Sequence, residues 1–447
     1  MSTRPATRKR PAGALAALGP AVTLALLMGL TWLTTFQAVS PSLGDGRLAI
    51  FVGFVLLAAS AAGAMASAVG LPRITGFIVV GMVVGPSLLG LLPAEAVTDL
   101  QLIDGFALAL IAMLAGGELK VESLRPQAKA IGLVTLGVTG VVWLGMTAVV
   151  VAVSPLIPFL SALPFWGVVG VALLLGVWSA NSSPDLTVAV IEERKAEGAL
   201  AEVILGVTIV KDVVVIVLFT LTLALVAPLL DPEQPFSWAA LGVLALELGG
   251  SLVLGAAMGW VFSQYLGGEG KDARSPFATF LFAYLMLVLV EQFHLELLLT
   301  GVTAGFVIEN LSPAGDKMIQ GIRSVAVVIF AFFFTVAGAR LDLGAVTQFW
   351  LAASIMILAR AWLTRFGTRK AMRWAGTGPH LTKYSWQGLI SQGGVSLGLI
   401  LVLQERFEAI GAGVLALAMA VILGNILAGP ILLARALAAE EPEEETA

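Results

Sequence analysis

The stretch GVTIVKDVVVIVLF, residues 206–219, sets Lys211 and Asp212 side by side within a run that is otherwise apolar from Val203 to Val226. At the centre of a membrane-spanning helix each charge opposes insertion by about 2.5–3.5 kcal/mol, so the pair costs roughly 5–7 kcal/mol. Each surrounding Val, Ile, Leu or Phe returns about 0.3–0.6 kcal/mol, and the run is long enough for the helix still to insert. A charge pair kept at that cost marks a functional position.

The rest of the chain fits a bilayer solvent. Of 447 residues, 58% are hydrophobic and 12% charged, and the mean hydropathy is +0.97, far outside the soluble range. The chain reads as an all-α polytopic membrane protein. It has no Cys, and its two histidines, His294 and His380, are far apart, so neither a disulfide framework nor a metal motif is present in the sequence. There is no G-x-x-x-x-G-K-[ST] loop and no strand-embedded G-x-G-x-x-G. Enzymatic, nucleotide-driven, cofactor-dependent and nucleic-acid-binding roles therefore have no sequence support, and any transport must draw on an ion gradient.

Apolar windows of spanning length fall near 13–34, 47–69, 74–92, 101–118, 130–152, 162–190, 201–228, 238–265, 277–292, 295–310, 324–341, 349–367, 384–404 and 412–436. Alternate connections collect the basic residues: Arg8, Lys9 and Arg10; Arg73; Lys120, Arg125 and Lys129; Arg194 and Lys195; Lys271 and Arg274; Lys317 and Arg323; Arg365, Arg369, Lys370, Arg373 and Lys383. The opposite connections are nearly bare, with Arg47 and Arg406 as exceptions. The positive-inside rule then predicts both termini to be cytoplasmic in an inner, plasma-type membrane. Residues 13–34 are read as an uncleaved helix rather than a secretory signal, because the run is long and Pro41 follows it. The tail EEPEEETA reads as a solvated acidic end.

Internal similarity organises the spans. GMVVGPSLLG from Gly81 aligns with GVTAGFVIEN from Gly301, LAGGELKVESL from Leu114 with VAGARLDLGAV from Val336, and LTVAVIEERK from Leu186 with GLILVLQERF from Gly398, at offsets of 220, 222 and 212. Matching spans are an odd number of crossings apart, so the two copies run in opposite directions. This divides the chain into a tail (1–12), an extra helix and loop (13–46), a first repeat (47–228), a linking helix and loop (229–276), a second repeat (277–436) and an acidic end (437–447).

Matching spans of the two copies each contain a segment that a continuous helix would avoid. In WSANSSPDLTVAV, Pro184 removes a backbone donor, so a helix is expected to stop and restart there with Ser183 as N-cap, Pro184 in the first helical position and Asp185 in the first turn. In LISQGGVSLGL, Gly393 and Gly394 follow Ser391 and Gln392. Unwound backbone at membrane depth persists only where it is buried in protein or lines a cavity, and its freed carbonyls are candidate ion ligands. Asn181, Ser182, Ser183 and Thr187 from the first break, and Ser391, Gln392 and Ser396 from the second, are the expected polar lining.

Lys211 and Asp212 lie about 100° apart around a helix and cannot face each other squarely, so each needs another partner. The candidates are Arg340, Asp185 and Glu118, with Glu118 expected to snorkel at a span end. Arg340 is a fixed charge, Asp212 can exchange a proton for a metal cation, and Lys211 is a second titratable group.

LPRITGFIVVGMVVGPSLLGLL, IDGFALALIAMLAGGELKVESLR, the Ser-rich break, the Asp in the next span, IFAFFFTVAGARLDL and LISQGGVSLGLIL together resemble the monovalent cation:proton antiporters of the second cation:proton antiporter family, the Kef-type and sodium/proton exchanger proteins. The resemblance spans roughly residues 47–436. It implies an inverted-repeat antiporter fold with two crossing broken helices and a 13-helix core, here with one added N-terminal helix. It also implies a homodimer and a transport domain moving like an elevator, with Asp212 as the ion- and proton-binding carboxylate and Arg340 as the basic residue. Lys211 departs from the Asp, Asn or Gln of relatives, which favours electroneutral exchange. The nucleotide-binding domain of Kef channels is not expected. A proton-coupled anion transporter using Lys211 and Arg340, or a non-transporting sensor or scaffold, are the competing readings.

Overall fold

The computed structural model describes residues 22–26, 28–29, 46–230, 238–266, 275–311, 315–341 and 343–439, which contain helices and no strand. The expected helix over 13–34 lies largely outside them, as do Lys271, Arg274 and the acidic tail beyond Ala439. Besides short helical turns over Ala94–Asp99 and Pro158–Ser161, the helices are α1 Gly46–Ala68, α2 Arg73–Val84, α3 Gln101–Gly117, α4 Val121–Val153, α5 Phe165–Ala180, α6 Pro184–Arg194, α7 Ala199–Leu230 and α8 Trp238–Leu266. They continue as α9 Ser275–Phe293, α10 Leu297–Leu311, α11 Gly315–Arg323, α12 Ala326–Ala339, α13 Leu343–Ala375, α14 Pro379–Tyr384, α15 Gly394–Arg406 and α16 Glu408–Ala438.

Seven segments among the described residues are long and apolar enough to cross a bilayer, lying in α1, α4, α5 with α6, α7, α8, α13 and α16. Shorter apolar helices form α2, α9, α10, α12 and most of α3 and α15. These fall where the apolar windows from residue 47 onward placed spans. The windows underestimated two helices: α4 begins at Val121 rather than near 130, and α13 runs to Ala375, with non-helical backbone at Phe349. Charged residues shorten a hydropathy window, but they do not end a helix whose backbone hydrogen bonds continue into water.

The chain forms two units. The first comprises residues 1–104 and 328–341. Phe51, Phe54 and Val55 of α1 are buried with Val80 and Val84 of α2 and Phe332 and Val336 of α12 in one apolar cluster. Here α2 and α12 touch backbone to backbone: a Cβ on Gly81 would lie 2.0 Å from the Thr335 carbonyl oxygen, and one on Gly338 2.2 Å from that of Ile78.

The second unit comprises residues 105–327 and 342–447. Within it α4, α5, α6, α7, α13, α15 and α16 pack into one bundle, and α8 packs along α10. A glycine-mediated crossing like that of α2 and α12 occurs between α3 and α10: a Cβ on Gly116 would lie 2.0 Å from the Val302 oxygen, and one on Gly305 2.1 Å from that of Met113. Small residues let membrane helices approach closely enough to gain packing that lipid cannot supply.

Candidate functional site

The first break forms as the residues dictate. Helix α5 ends at Ala180, Asn181 is extended (φ −63°, ψ 153°), and Ser183 caps α6 with its Oγ accepting the Leu186 N–H at 3.2 Å. Pro184 takes the first helical position and Asp185 the first turn, so the cap expected from the sequence is the one present. The second break follows a 3₁₀ turn over Ser385–Leu389 and ends where α15 starts at Gly394.

The two breaks meet. The Ser183 N–H donates to the Ser391 carbonyl at 2.9 Å, and the Ser182 hydroxyl donates to that of Leu389 at 2.9 Å. Asn181 Nδ2 donates to Ser396 Oγ at 3.1 Å, and the Trp178 indole donates to the Ser396 carbonyl at 2.8 Å. A Cβ on Gly393 would stand 2.5 Å from Ser183 Oγ, so the two breaks approach closely at this glycine. Gln392 accepts from Asn425 Nδ2 at 2.8 Å, and Thr187 donates back to the Ser183 carbonyl at 2.9 Å. All seven residues of the expected lining are thus buried at or beside one junction.

The group that closes this junction was missed in the sequence. Arg360 of α13, 1% exposed, donates from Nε to the Ser179 carbonyl, from Nη1 to that of Ile390 and from Nη2 to that of Asn181, each at 2.6 Å. Its planar fork serves carbonyls from both breaks at once, from donors spread in a fixed geometry that a point-charge ammonium lacks. The Ser179, Asn181 and Ile390 carbonyls, among those freed at the breaks, are therefore already engaged. The signal for Arg360 was available: an Arg inside the 349–367 window incurs the same insertion penalty that singled out Lys211. Trp178 and Asn425 gave no such signal, because an indole and an amide are unremarkable in a polytopic chain.

Lys211 and Asp212 of α7 lie beside the junction, 1% and 2% exposed. Lys211 Nζ donates to Ser182 Oγ, and the Ser183 hydroxyl donates to Asp185 Oδ1. Around the Asp212 carboxylate stand Glu296, Asp185, Lys211 and the Asn181 side chain. Asp212 Oδ1 has no hydrogen-bond partner among the described residues. Glu296 was also missed; it precedes α10, accepts the Leu299 N–H on Oε2, and donates its own N–H to Ser251 Oγ at 2.9 Å. In the sequence it stands at the very start of the 295–310 window, where an acid reads as an ordinary span-end residue.

Glu118 lies away from this junction, within the same unit. Arg340 belongs to the first unit, at the end of α12. Glu118 pairs with Arg323 at 2.6 Å, and Arg323 also holds Glu192 at 3.0 Å. Lys120, two residues after Glu118, pairs with Glu309 at 3.0 Å. The ends of α3, α6 and α11 are thus joined at one end of the unit, in keeping with the alternation of basic loops. Burial pushes the Glu118 carboxyl up to about 7, against the pull of Arg323 and with the repulsion of Glu192. Because this clamp favours the protonated carboxyl, stability conferred through Glu118 is full in acid and is lost as pH rises toward 7. Melting temperatures measured from about pH 5 to 8 should fall across that window in the parent protein. The fall should be smaller in Glu118→Gln, and identical slopes would refute the assignment.

A family model described as sodium/hydrogen exchanger, transmembrane, matches residues 54–439. The chain belongs to the sodium/hydrogen exchanger family. Cation:proton exchange is accordingly its activity, it is an integral membrane protein, and the family is one of transporters. The exchanger is similar in structure to the sodium proton antiporter MjNhaP1 from Methanocaldococcus jannaschii at pH 8, with 15% identity, a TM-score of 0.62, and 88% of this chain and 99% of that chain covered. Against an electron-microscopy structure of MjNhaP1 the values are 16% identity, a TM-score of 0.70, and 92% and 100% coverage. No curated protein sequence matches the exchanger. At these identities the structural likeness establishes the fold, and the family read from the motifs is borne out.

Proposed function

We propose that the exchanger moves one monovalent cation, Na⁺ or K⁺, against one proton by alternating access, with Asp212 holding either. The carrying observation is that Asp212, 2% exposed, keeps Oδ1 without a hydrogen-bond partner among the described residues, beside two interrupted helices. An ionised carboxylate buried in that state is unfavourable by several kcal/mol. A proton or a bare cation at Oδ1 removes the deficit, and the two compete for one site.

A charge balance supports electroneutral exchange. Lys211 and Arg360 oppose Asp185, Asp212 and Glu296, so with all five ionised the site carries one net negative charge. One proton or one monovalent cation brings it to neutrality, and neutral loaded states cross the bilayer's interior at least cost. In this reading Lys211 is a resident counter-charge anchored by Ser182. An anion is disfavoured, because Arg360 is committed to carbonyls and the other cation, Lys211, faces three carboxylates, Asp185, Asp212 and Glu296.

The bundle of α4–α7, α13, α15 and α16 is the proposed transport domain, with the cytoplasmic termini, the homodimer and the elevator motion following from the family reading. The inverted repeat is supported by the glycine crossings: Gly85 and Gly338 of one pair correspond to Gly305 and Gly116 of the other at the offsets of 220 and 222. The test is a proteoliposome recording of internal pH as Na⁺, K⁺ or Li⁺ is added with the membrane potential clamped at two values. Electroneutral exchange gives equal initial rates at both. Rates that follow the potential would overturn the one-for-one ratio, and no pH change with any cation would overturn the assignment of exchange.

A further inference from the structure

Helix α13 has a second face that the exchange mechanism does not use. Its inward face carries Arg360, Thr364 and Thr368, all at most 2% exposed. Its outward face carries two adjacent rows at i, i+4 spacing: Trp362, Phe366, Lys370 and Trp374 in one, and Arg365, Arg369 and Arg373 in the other. Trp362 and Phe366 stack at 5.6 Å between centroids, and Lys370 Nζ lies 5.8 Å from the Phe366 ring and 5.3 Å from that of Trp374. Trp362 and Trp374 are 63% and 66% exposed.

No acid answers these charges locally. The sequence has no Asp or Glu from residue 343 to residue 404. Arg365, Arg369, Lys370 and Arg373 have no ion pair among the described residues. The apolar segment Thr347–Ala375 is 29 residues long, which at about 1.5 Å per residue exceeds a hydrocarbon core of about 30 Å. Its last turns therefore stand at headgroup level, where exposed indoles are favoured and guanidinium groups meet phosphate.

We propose that this outward face at the C-terminal end of α13 binds the headgroup of an anionic phospholipid. Arg365, Arg369 and Arg373 present guanidinium donors to the phosphodiester, Lys370 adds a point charge, and the aromatic row lies along the acyl-chain boundary. A zwitterionic headgroup fits less well, since its own ammonium is repelled by the same row. The rival occupant is the chain's own acidic tail, with Glu at 440, 441, 443, 444 and 445. It follows Ala439, whose carbonyl lies 3.3 Å from His380 Nε2 near this end.

The test is native mass spectrometry of the full chain in neutral detergent, titrated with phosphatidylglycerol or phosphatidylcholine. The parent protein should retain phosphatidylglycerol at least about tenfold more strongly, and Arg365→Gln/Arg369→Gln/Arg373→Gln should lose that preference. Arg365 and Arg373 are exposed, Arg369 is half-buried, and all three lie outside the exchange site, so the triple variant should exchange at the parent rate in phosphatidylcholine vesicles. That rate verifies folding separately from binding. Equal retention of the two lipids by the parent, or an unchanged preference in the triple variant, would overturn the proposal. So would a preference that emerges only when the five tail glutamates are changed to Gln, because the tail would then be the occupant.

Discussion

Asp212→Asn is expected to reduce cation-driven proton movement in proteoliposomes to the level of empty vesicles, while the purified protein melts no lower than the parent. Both halves follow from the same geometry. Asparagine keeps the size of the side chain but cannot titrate or carry charge, so neither exchange partner is held. The substitution also removes a buried anion that lacks a full set of partners, and that relief offsets any loss of packing. Retained exchange would show that the proton and cation are carried elsewhere, Glu296, Asp185 and Lys211 being the neighbouring titratable groups. Lost exchange with a collapsed melting temperature would make Asp212 a structural residue instead.

Arg360→Met should have the largest effect on stability. Three buried carbonyls lose their donor, at about 1–3 kcal/mol each, so the expected loss is roughly 3–9 kcal/mol, a large part of the 5–15 kcal/mol typical of a folded protein. Lysine at 360 restores the charge but not the fork, and Arg360→Lys should fall between the parent and the methionine variant. Thermal unfolding in detergent measures the order, and hydrogen exchange at residues 390–393 locates the damage at the second break. A methionine variant that melts like the parent and still exchanges would mean that Arg360 does not hold the two breaks together.

The parts of this arrangement legible in the sequence were those governed by local rules. Pro184 after Ser183 dictates a helix start wherever the chain is placed, and the cap formed as read. Gly393 and Gly394 marked the second break because a glycine pair weakens a helix in any context. Lys211 and Asp212 were conspicuous because their penalty is set by the bilayer alone. What remained hidden was partnership across distance. Arg360 is 179 residues from Asn181 and 30 from Ile390, and nothing local says that one guanidinium serves both. Asn425 with Gln392, and Glu296 with Asp212, are hidden for the same reason. Glu118 was expected at a span end and is there, but its pairing with Arg323 and Glu192 depends on three helices ending together.

The most direct measurement is the proton count on cation binding. Purified exchanger in weak buffer with a pH indicator, mixed with saturating Na⁺ or K⁺ at a series of pH values, should release protons in proportion to the fraction of Asp212 protonated, approaching about one per chain as pH is lowered. Asp212→Asn should release none. Cation binding with no proton release, or equal release from the asparagine variant, would contradict the claim that one buried carboxylate holds either occupant but not both.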